Sequence, residues 1–229
     1  GNKPCLKVLA KSDLADETRT RHWVDFLDQI DNVRARAVTT EDIPSIRRLK
    51  HTAAHMVPHR EGRTITVMVA GIPNVGKSTL INVLAGRKIA KTGNTPAVTK
   101  QQQRVPIGDS VTLLDTPGVM WPNVENPNSG YRLAILGSIK ETAMDYADIG
   151  FFAAKCMAQD FPERLQERFQ LDQLPDTELN LIEAIGRKRG CLGKNNTVDL
   201  DRASRILVTE LRSGGMGRLT LETPDSMKH

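Results

Sequence analysis

The residues best suited to chemistry lie in one stretch, Gly71-Ile72-Pro73-Asn74-Val75-Gly76-Lys77-Ser78-Thr79. Two glycines with four residues between them, then a lysine and a hydroxyl, fit the pattern G-x-x-x-x-G-K-[ST]. Glycine lets the backbone turn tightly and lets phosphate oxygens reach main-chain N–H groups. Lys77 can place a point charge between terminal phosphates, and the Ser78 hydroxyl can ligate Mg²⁺. A helix beginning at Lys77 would offer its positive end to the same anion. A glycine-rich strand–helix turn without a ligand is the plain alternative. The flanks argue against it: residues 64–70 (TITVMVA) read as a buried strand and residues 80–85 (LINVLA) as a core helix. Strand, loop and helix are the setting that phosphate binding requires. Asn74, Val75, Gly76, Lys77, Ser78 and Thr79 are therefore the expected phosphate-contacting residues.

Two further segments make sense beside such a loop. Asp115-Thr116-Pro117-Gly118 ends an apolar strand, with Asp115 falling 37 residues after Ser78. An aspartate there suits the Mg²⁺ side of a phosphoryl-transfer site, and the Gly118 N–H suits a terminal phosphate. Lys11-Ser12-Asp13 matches the last three positions of N-K-x-D. A carboxylate accepts from guanine N1–H and the exocyclic amine together, a donor pair that adenine lacks. A site built on those donors rejects a base without them. Ala10 stands where the pattern has asparagine. Losing that amide is expected to weaken nucleotide affinity by about 1–3 kcal/mol, with guanine preference kept by Asp13.

The elements around these segments read in order as strand, helix, strand, helix. Residues 5–10 and 33–38 are the strands. Trp23, Phe26, Leu27 and Ile30 mark the first helix, and Pro44 to His55 is the second, stopped by Pro58. His51, His55 and His59 recur every four residues, but no carboxylate or cysteine joins them, and a solvated helix face is the expected reading. Residues 86–100 form a polar loop containing Thr92, Thr95 and Thr99. Residues 101–107 and 110–114 read as paired strands about Gly108-Asp109, and residues 121–130 read as a linker. The remainder of the chain reads as helical. Its stripes are Ile149, Phe152, Ala153, Cys156 and Met157; then Leu165 and Phe169; then Leu181, Ile182 and Ile185; then Leu200, Ala203, Leu207 and Leu211, ended by Gly214-Gly215. The expected fold is α/β, a nucleotide domain over residues 1–125 with parallel-rich strands flanked by helices. An all-helical domain over 126–229 completes it.

The chain has 229 residues and 39% hydrophobic content. It shows no apolar run of bilayer length and no signal-peptide pattern. Cys5, Cys156 and Cys191 are odd in number and lack metal spacing, so reduced thiols in a cytosol-like compartment are expected. The net charge of +5 is uneven. Residues 1–130 hold 18 Lys+Arg against 12 Asp+Glu (+6), and residues 131–229 hold 14 against 15 (−1). Mild basicity permits an RNA partner without requiring one. Arg187-Lys188-Arg189, at a helix end, is either a charged cap favoured by the helix dipole or an RNA-backbone contact.

In small GTPases the glycine loop comes first and the base reader late; here Lys11-Ser12-Asp13 precedes the loop and no N-K-x-D comes after Gly118. With Leu114-Asp115-Thr116-Pro117-Gly118-Val119-Met120-Trp121-Pro122 and Ala184-Ile185-Gly186-Arg187-Lys188-Arg189-Gly190-Cys191-Leu192, the chain resembles the circularly permuted GTPases of the YlqF/RbgA ribosome-assembly family across nearly its whole length. The resemblance implies binding of GTP and GDP. It implies slow GTP hydrolysis stimulated by the large ribosomal subunit, rRNA contact through Arg187, Lys188 and Arg189, and a monomer in the cytoplasm or a mitochondrial matrix. It implies base contacts from Thr39 and Thr40, and it implies Mg²⁺ held by Ser78, Asp115 and Thr99 of Pro96-Ala97-Val98-Thr99. Ala97 replaces that motif's usual glycine. Lys77, Thr99 and Gly118 become the catalytic candidates. Val119 stands where Ras-like enzymes carry a water-orienting glutamine, and an isopropyl group cannot orient water. Asn74 resembles the asparagine of potassium-activated GTPases, so K⁺ is a candidate second ion; a neutral loop residue is the alternative. The family also carries a segment ahead of its base reader, which supplies another strand, and the sequence is expected to lack it. Two rivals stand against this reading, an ATP-using P-loop enzyme and a non-catalytic, nucleotide-gated RNA-binding module.

Overall fold

Aspartates set where the first helices begin. Asp16 accepts from the Arg19 N–H at 2.7 Å and opens α1 (Glu17–Asp28). Asp42 accepts from the Ser45 N–H at 3.1 Å and opens α2 (Ile43–His55), with Pro44 in the first turn. Such caps satisfy amides that have no partner inside the helix. The computed structural model describes residues 3–89, 103–118, 126–139 and 145–227. Thr92, Thr95, Thr99 and Val119 lie outside them.

β1 (Cys5–Leu9) pairs in parallel with β2 (Val33–Ala37), Cys5 opposite Val33. β3 (Ile65–Val69) pairs in parallel with β5 (Val111–Asp115), and β4 (Gln103–Ile107) lies antiparallel to β5 through a turn with Gly108 at φ +60. The described strands thus form two sheets, β1-β2 and β3-β5-β4. α3 (Lys77–Ala85) serves both cores. Ile81, fully buried, packs with Val105, Ile107, Val111 and Leu113, while Leu80 and Val83 pack with Val38, Ile46 and Leu49 beside Leu6 and Val8.

Two expectations are corrected. β3 is not a buried strand: among the described residues it lies at an edge of its sheet, and it exposes 63% of Met68. Asn126-Pro127 opens a helix and not a linker. Asn126 accepts from the Asn128 N–H at 2.9 Å, and Pro127, which has no N–H to lose, starts α4 (Pro127–Ile135). Ile30 falls beyond α1 and is exposed.

The chain divides into two compact units, Gly1–Trp121 with Glu222–His229, and Pro122–Leu221. The end of the chain joins the first unit through the Trp23 indole N–H, which donates to the Glu222 carbonyl at 3.1 Å. The second unit holds α4, α5 (Tyr146–Asp160), α6 (Pro162–Phe169), α7 (Glu178–Lys188) and α8 (Leu200–Ser213) around Ile149, Met157, Phe169, Ile182, Ile185 and Leu207. Arg212 on α8 donates to the last carbonyls of α4, Ile135 at 2.6 Å and Ala134 at 2.7 Å. Small residues let α5 and α8 meet closely: a Cβ at Gly150 would lie 2.1 Å from Ser204 Oγ and 3.0 Å from Ser204 Cα. Gly150→Ala is therefore expected to cost about 1–3 kcal/mol, read as a lower urea midpoint with an unchanged m-value.

Candidate functional site

β3 ends at Val69, the chain turns through residues 70–76, and α3 starts at Lys77. Gly76 is the residue before the helix, at φ +102, a conformation open to glycine and costly for any side chain. No side chain caps this helix, in contrast to α1, α2, α4, α5, α7 and α8. Its N-terminus is thus left open to an anion. Asn74 is also left-handed, at φ +61, a region where asparagine is favoured over most residues. That alone gives it a backbone reason to be asparagine.

Lys77 folds over its own loop. Its ammonium donates to the Gly71 carbonyl at 2.9 Å and the Ile72 carbonyl at 2.8 Å. Burial lowers its pKa below the usual lysine value, and Asp115 pulls it back up. Asp115 is 1% exposed, and neither carboxylate oxygen has a hydrogen-bond partner of ordinary geometry among the described residues. Burial raises its pKa, opposed by the charge of Lys77 and the nearby Thr116 amide. A buried carboxylate lacking hydrogen bonds is costly unless a cation joins it. The half-buried Ser78 lies in the first turn of the adjoining helix, so the oxygen-donor set fits a hard divalent cation.

The Asp115–Gly118 segment is fixed against the loop at two points. The Thr116 hydroxyl donates to the Val69 carbonyl at 2.7 Å, tying the ends of β5 and β3 together. Gly118 sits against the loop so closely that a Cβ would lie 3.0 Å from Pro73 Cα, 3.2 Å from Pro73 N and 3.2 Å from Lys77 Nζ. Neither Thr116 nor Pro73 drew a role from the sequence; for Thr116 the only signal was its place between the aspartate and the glycine.

The base-reading candidates gather at the ends of β1 and β2. The Val38 N–H donates to Leu9 O at 2.9 Å, and the Ser12 N–H donates to Val38 O at 3.1 Å. This joins Lys11-Ser12-Asp13 to the strand end that leads into Thr39 and Thr40. Lys11 adopts φ +58, and the Leu14 N–H closes the turn on Lys11 O at 3.0 Å. A left-handed lysine costs about 1–2 kcal/mol, so the surroundings must hold this turn in place. Asp13 is half-buried and makes no hydrogen bond or ion pair among the described residues. Thr39 accepts from the Glu41 N–H at 3.2 Å, and Thr40 is exposed. This cluster meets the phosphate loop: a Cβ on Gly76 would stand 3.8 Å from Ala10 Cβ.

Residues 66–175 match the family model described as a 50S ribosome-binding GTPase. Ribosome biogenesis GTPase A of Bacillus cereus is 37% identical over 233 residues, covering 98% of this chain and 78% of that protein. The chain belongs to the ribosome biogenesis GTPase A family. Two solved structures are similar, each 26% identical. GNP-bound YlqF from T. maritima has a TM-score of 0.69 and covers 96% of this chain and 82% of that one; GDP-bound TM YlqF has a TM-score of 0.66 and covers 96% and 83%. The chain is a P-loop GTPase with a helical unit after its nucleotide domain, a GTP-hydrolysing enzyme of a family whose nucleotide carries Mg²⁺.

The basic triplet 187–189 splits. Arg189 is engaged locally: it donates to Arg168 O at 3.2 Å, lies 5.2 Å from the Phe169 ring centre and is 4.0 Å from Glu210, which Arg168 already pairs at 2.7 Å. Arg187 and Lys188 are exposed in the last turn of α7. Among the described residues no helix is long and apolar enough to cross a membrane, and no cluster of three or more His, Cys, Asp or Glu side chains is arranged for a metal.

At the missing asparagine, Ala10→Asn would bring an amide beside Gly76. We expect about tenfold tighter GDP binding by titration of a fluorescent analogue, the worth of one net hydrogen bond. Unchanged affinity would mean the added amide finds no partner.

Proposed function

We propose that the chain hydrolyses GTP slowly on its own and faster on the large ribosomal subunit, acting in its assembly in the cytoplasm. The observation that carries this reading is the approach of Ala10 to Gly76, which sets the base-reading turn beside the phosphate loop. Asp13 pairs guanine, with Lys11 covering the base and Ser12, Thr39 and Thr40 completing the wall. The amides of Asn74 to Thr79 cradle the phosphates. Lys77 exchanges two neutral carbonyls for charged phosphate oxygens, a stronger bond type. Ser78, Asp115 and Thr99 hold Mg²⁺, which when bound neutralises charge on the phosphate oxygens. The Gly118 N–H meets the terminal phosphate. Asn74 admits K⁺ beside it. Val119 cannot orient water, so the positioned water awaits a group from the ribosomal particle. Arg187 and Lys188 contact rRNA, Arg189 chiefly bracing them.

Phosphate release from GTP, measured with and without purified large subunits and in K⁺ and then Na⁺, tests this. We expect at least about tenfold stimulation by the particle, rising toward the roughly 10²–10³-fold that one added stabilising group supplies. No stimulation would favour a non-catalytic nucleotide-gated module.

A further inference from the structure

α2 leaves one feature that GTP chemistry does not use. A groove of about 800 Å³ runs between β2 and α2, and among its lining residues are Arg34, Arg36, Arg48, His51 and His55 but no Asp or Glu. Strand geometry places Arg34 and Arg36 on the exposed face of β2, because Val33 and Ala35 are buried on the other. Helix geometry places Arg48, His51 and His55 on one face of α2, because Ile46 and Leu49 fill the core. The repeating histidines therefore belong to a basic wall.

This charge is only partly compensated. Arg34 donates to the Val33 carbonyl at 3.0 Å and Arg48 to the Ser45 hydroxyl at 2.7 Å, both neutral acceptors. Arg36 reaches the Asp28 carboxylate at 3.5 Å on the surface, and the charge of Arg48 acts on Asp42, whose carboxylate shares Ser45 with it; among the described residues Arg34 faces no carboxylate. A guanidinium carries five N–H donors, so each retains donors for an anion. No Phe, Tyr or Trp lines the groove, so stacking surfaces there are limited to the His51 and His55 rings and the guanidinium planes.

We propose that this β2–α2 groove binds the phosphate backbone of an RNA strand, giving the nucleotide domain a sequence-independent RNA contact. The proposal rests on the reading that the chain acts on an RNA-containing particle. Arginine charge facing a phosphate backbone predicts affinity carried largely by counterion release and hence marked salt dependence.

The test is anisotropy of a fluorescent oligouridine of about twenty nucleotides with the full chain, at about 50 and about 200 mM KCl. Arg34→Ala/Arg48→Ala is expected to bind about tenfold more weakly at low salt. Its log–log salt slope should be shallower by about 1.4, two lost phosphate contacts at about 0.7 each. Arg34→Lys/Arg48→Lys keeps the charge and should stay within about threefold of the parent chain. Fluorescent GDP should bind all three alike, which separates a lost groove from a lost fold. Should the double alanine variant not fold, Arg34→Ala alone, removing an exposed side chain bonded to its neighbour's carbonyl, carries the same test with a salt slope shallower by about 0.7. Undiminished RNA binding by the alanine variants would overturn the proposal. So would equal competition by polyglutamate, which would make the groove an acidic-peptide site. Failure of the assembly-GTPase reading would show elsewhere, as particle-independent turnover beside intact loss of RNA binding.

Discussion

Gly118→Ala should lower GTP turnover by about a hundredfold while changing GDP affinity by less than about threefold, a split read from single-turnover phosphate release beside equilibrium titration. The reason is steric. The new methyl would stand 3.0 Å from Pro73 Cα and 3.2 Å from Pro73 N, both backbone atoms that cannot swing aside. Pro73 belongs to a loop anchored by β3 on one side and α3 on the other, whereas Gly118 lies three residues beyond the end of β5. The cheaper relief is for Gly118 to retreat, carrying its N–H away from the reacting phosphate and leaving the cradle intact. Turnover within about threefold of the parent would show that this glycine is spaced for packing and has no part in hydrolysis.

Asp115→Asn should have opposite effects on stability and on activity. In the nucleotide-free protein it replaces a buried carboxylate that has no hydrogen-bond partner among the described residues, so the melting temperature should rise, by about 2–4 °C for each kcal/mol recovered in a chain of this size. Turnover dependent on Mg²⁺ should fall by at least about a hundredfold. The pH dependence comes from the raised carboxyl pKa. The folded state holds the Asp115 proton more tightly than the unfolded state, so it contributes stability below the ordinary carboxylate value. That contribution is lost as pH rises through the folded-state value. Melting of the metal-free parent chain should therefore show a decline across this acidic window that the Asn variant lacks. An Asn variant that melts lower at every pH would show that the carboxylate is held by contacts and not waiting for a cation.

The P-loop GTPase fold was readable because phosphate recognition needs a short local pattern. Gly71 to Thr79 and Asp115 to Gly118 carry their spacing within themselves, and the strands and helix beside them are set by apolar periodicity. What the sequence hid depends on pairing between distant segments. Met68 looks like core in a run of apolar residues, yet β3 lies at a sheet edge, which no local pattern states. Asn126-Pro127 read as linker because the two residues serve turns and helix starts alike. Arg189 looked equivalent to Arg187 and Lys188, but only tertiary packing brings Phe169, Arg168 and Glu210 to it. The β2–α2 groove was invisible for the same reason: its arginines come from two elements, and its histidines read alone as a solvated face.

The central claim is that a carboxylate in the turn after β1 selects the base whose phosphates lie in the loop before α3. Displacement of fluorescent GDP by unlabelled GDP and by ADP, on the parent chain and on Asp13→Ala, measures it most directly. ADP should fail to displace even at about a thousandfold excess from the parent chain, and the Asp13→Ala variant should lose most of that discrimination. Effective displacement by ADP from the parent chain, or an Asp13→Ala variant that still prefers GDP by the same factor, would contradict the account.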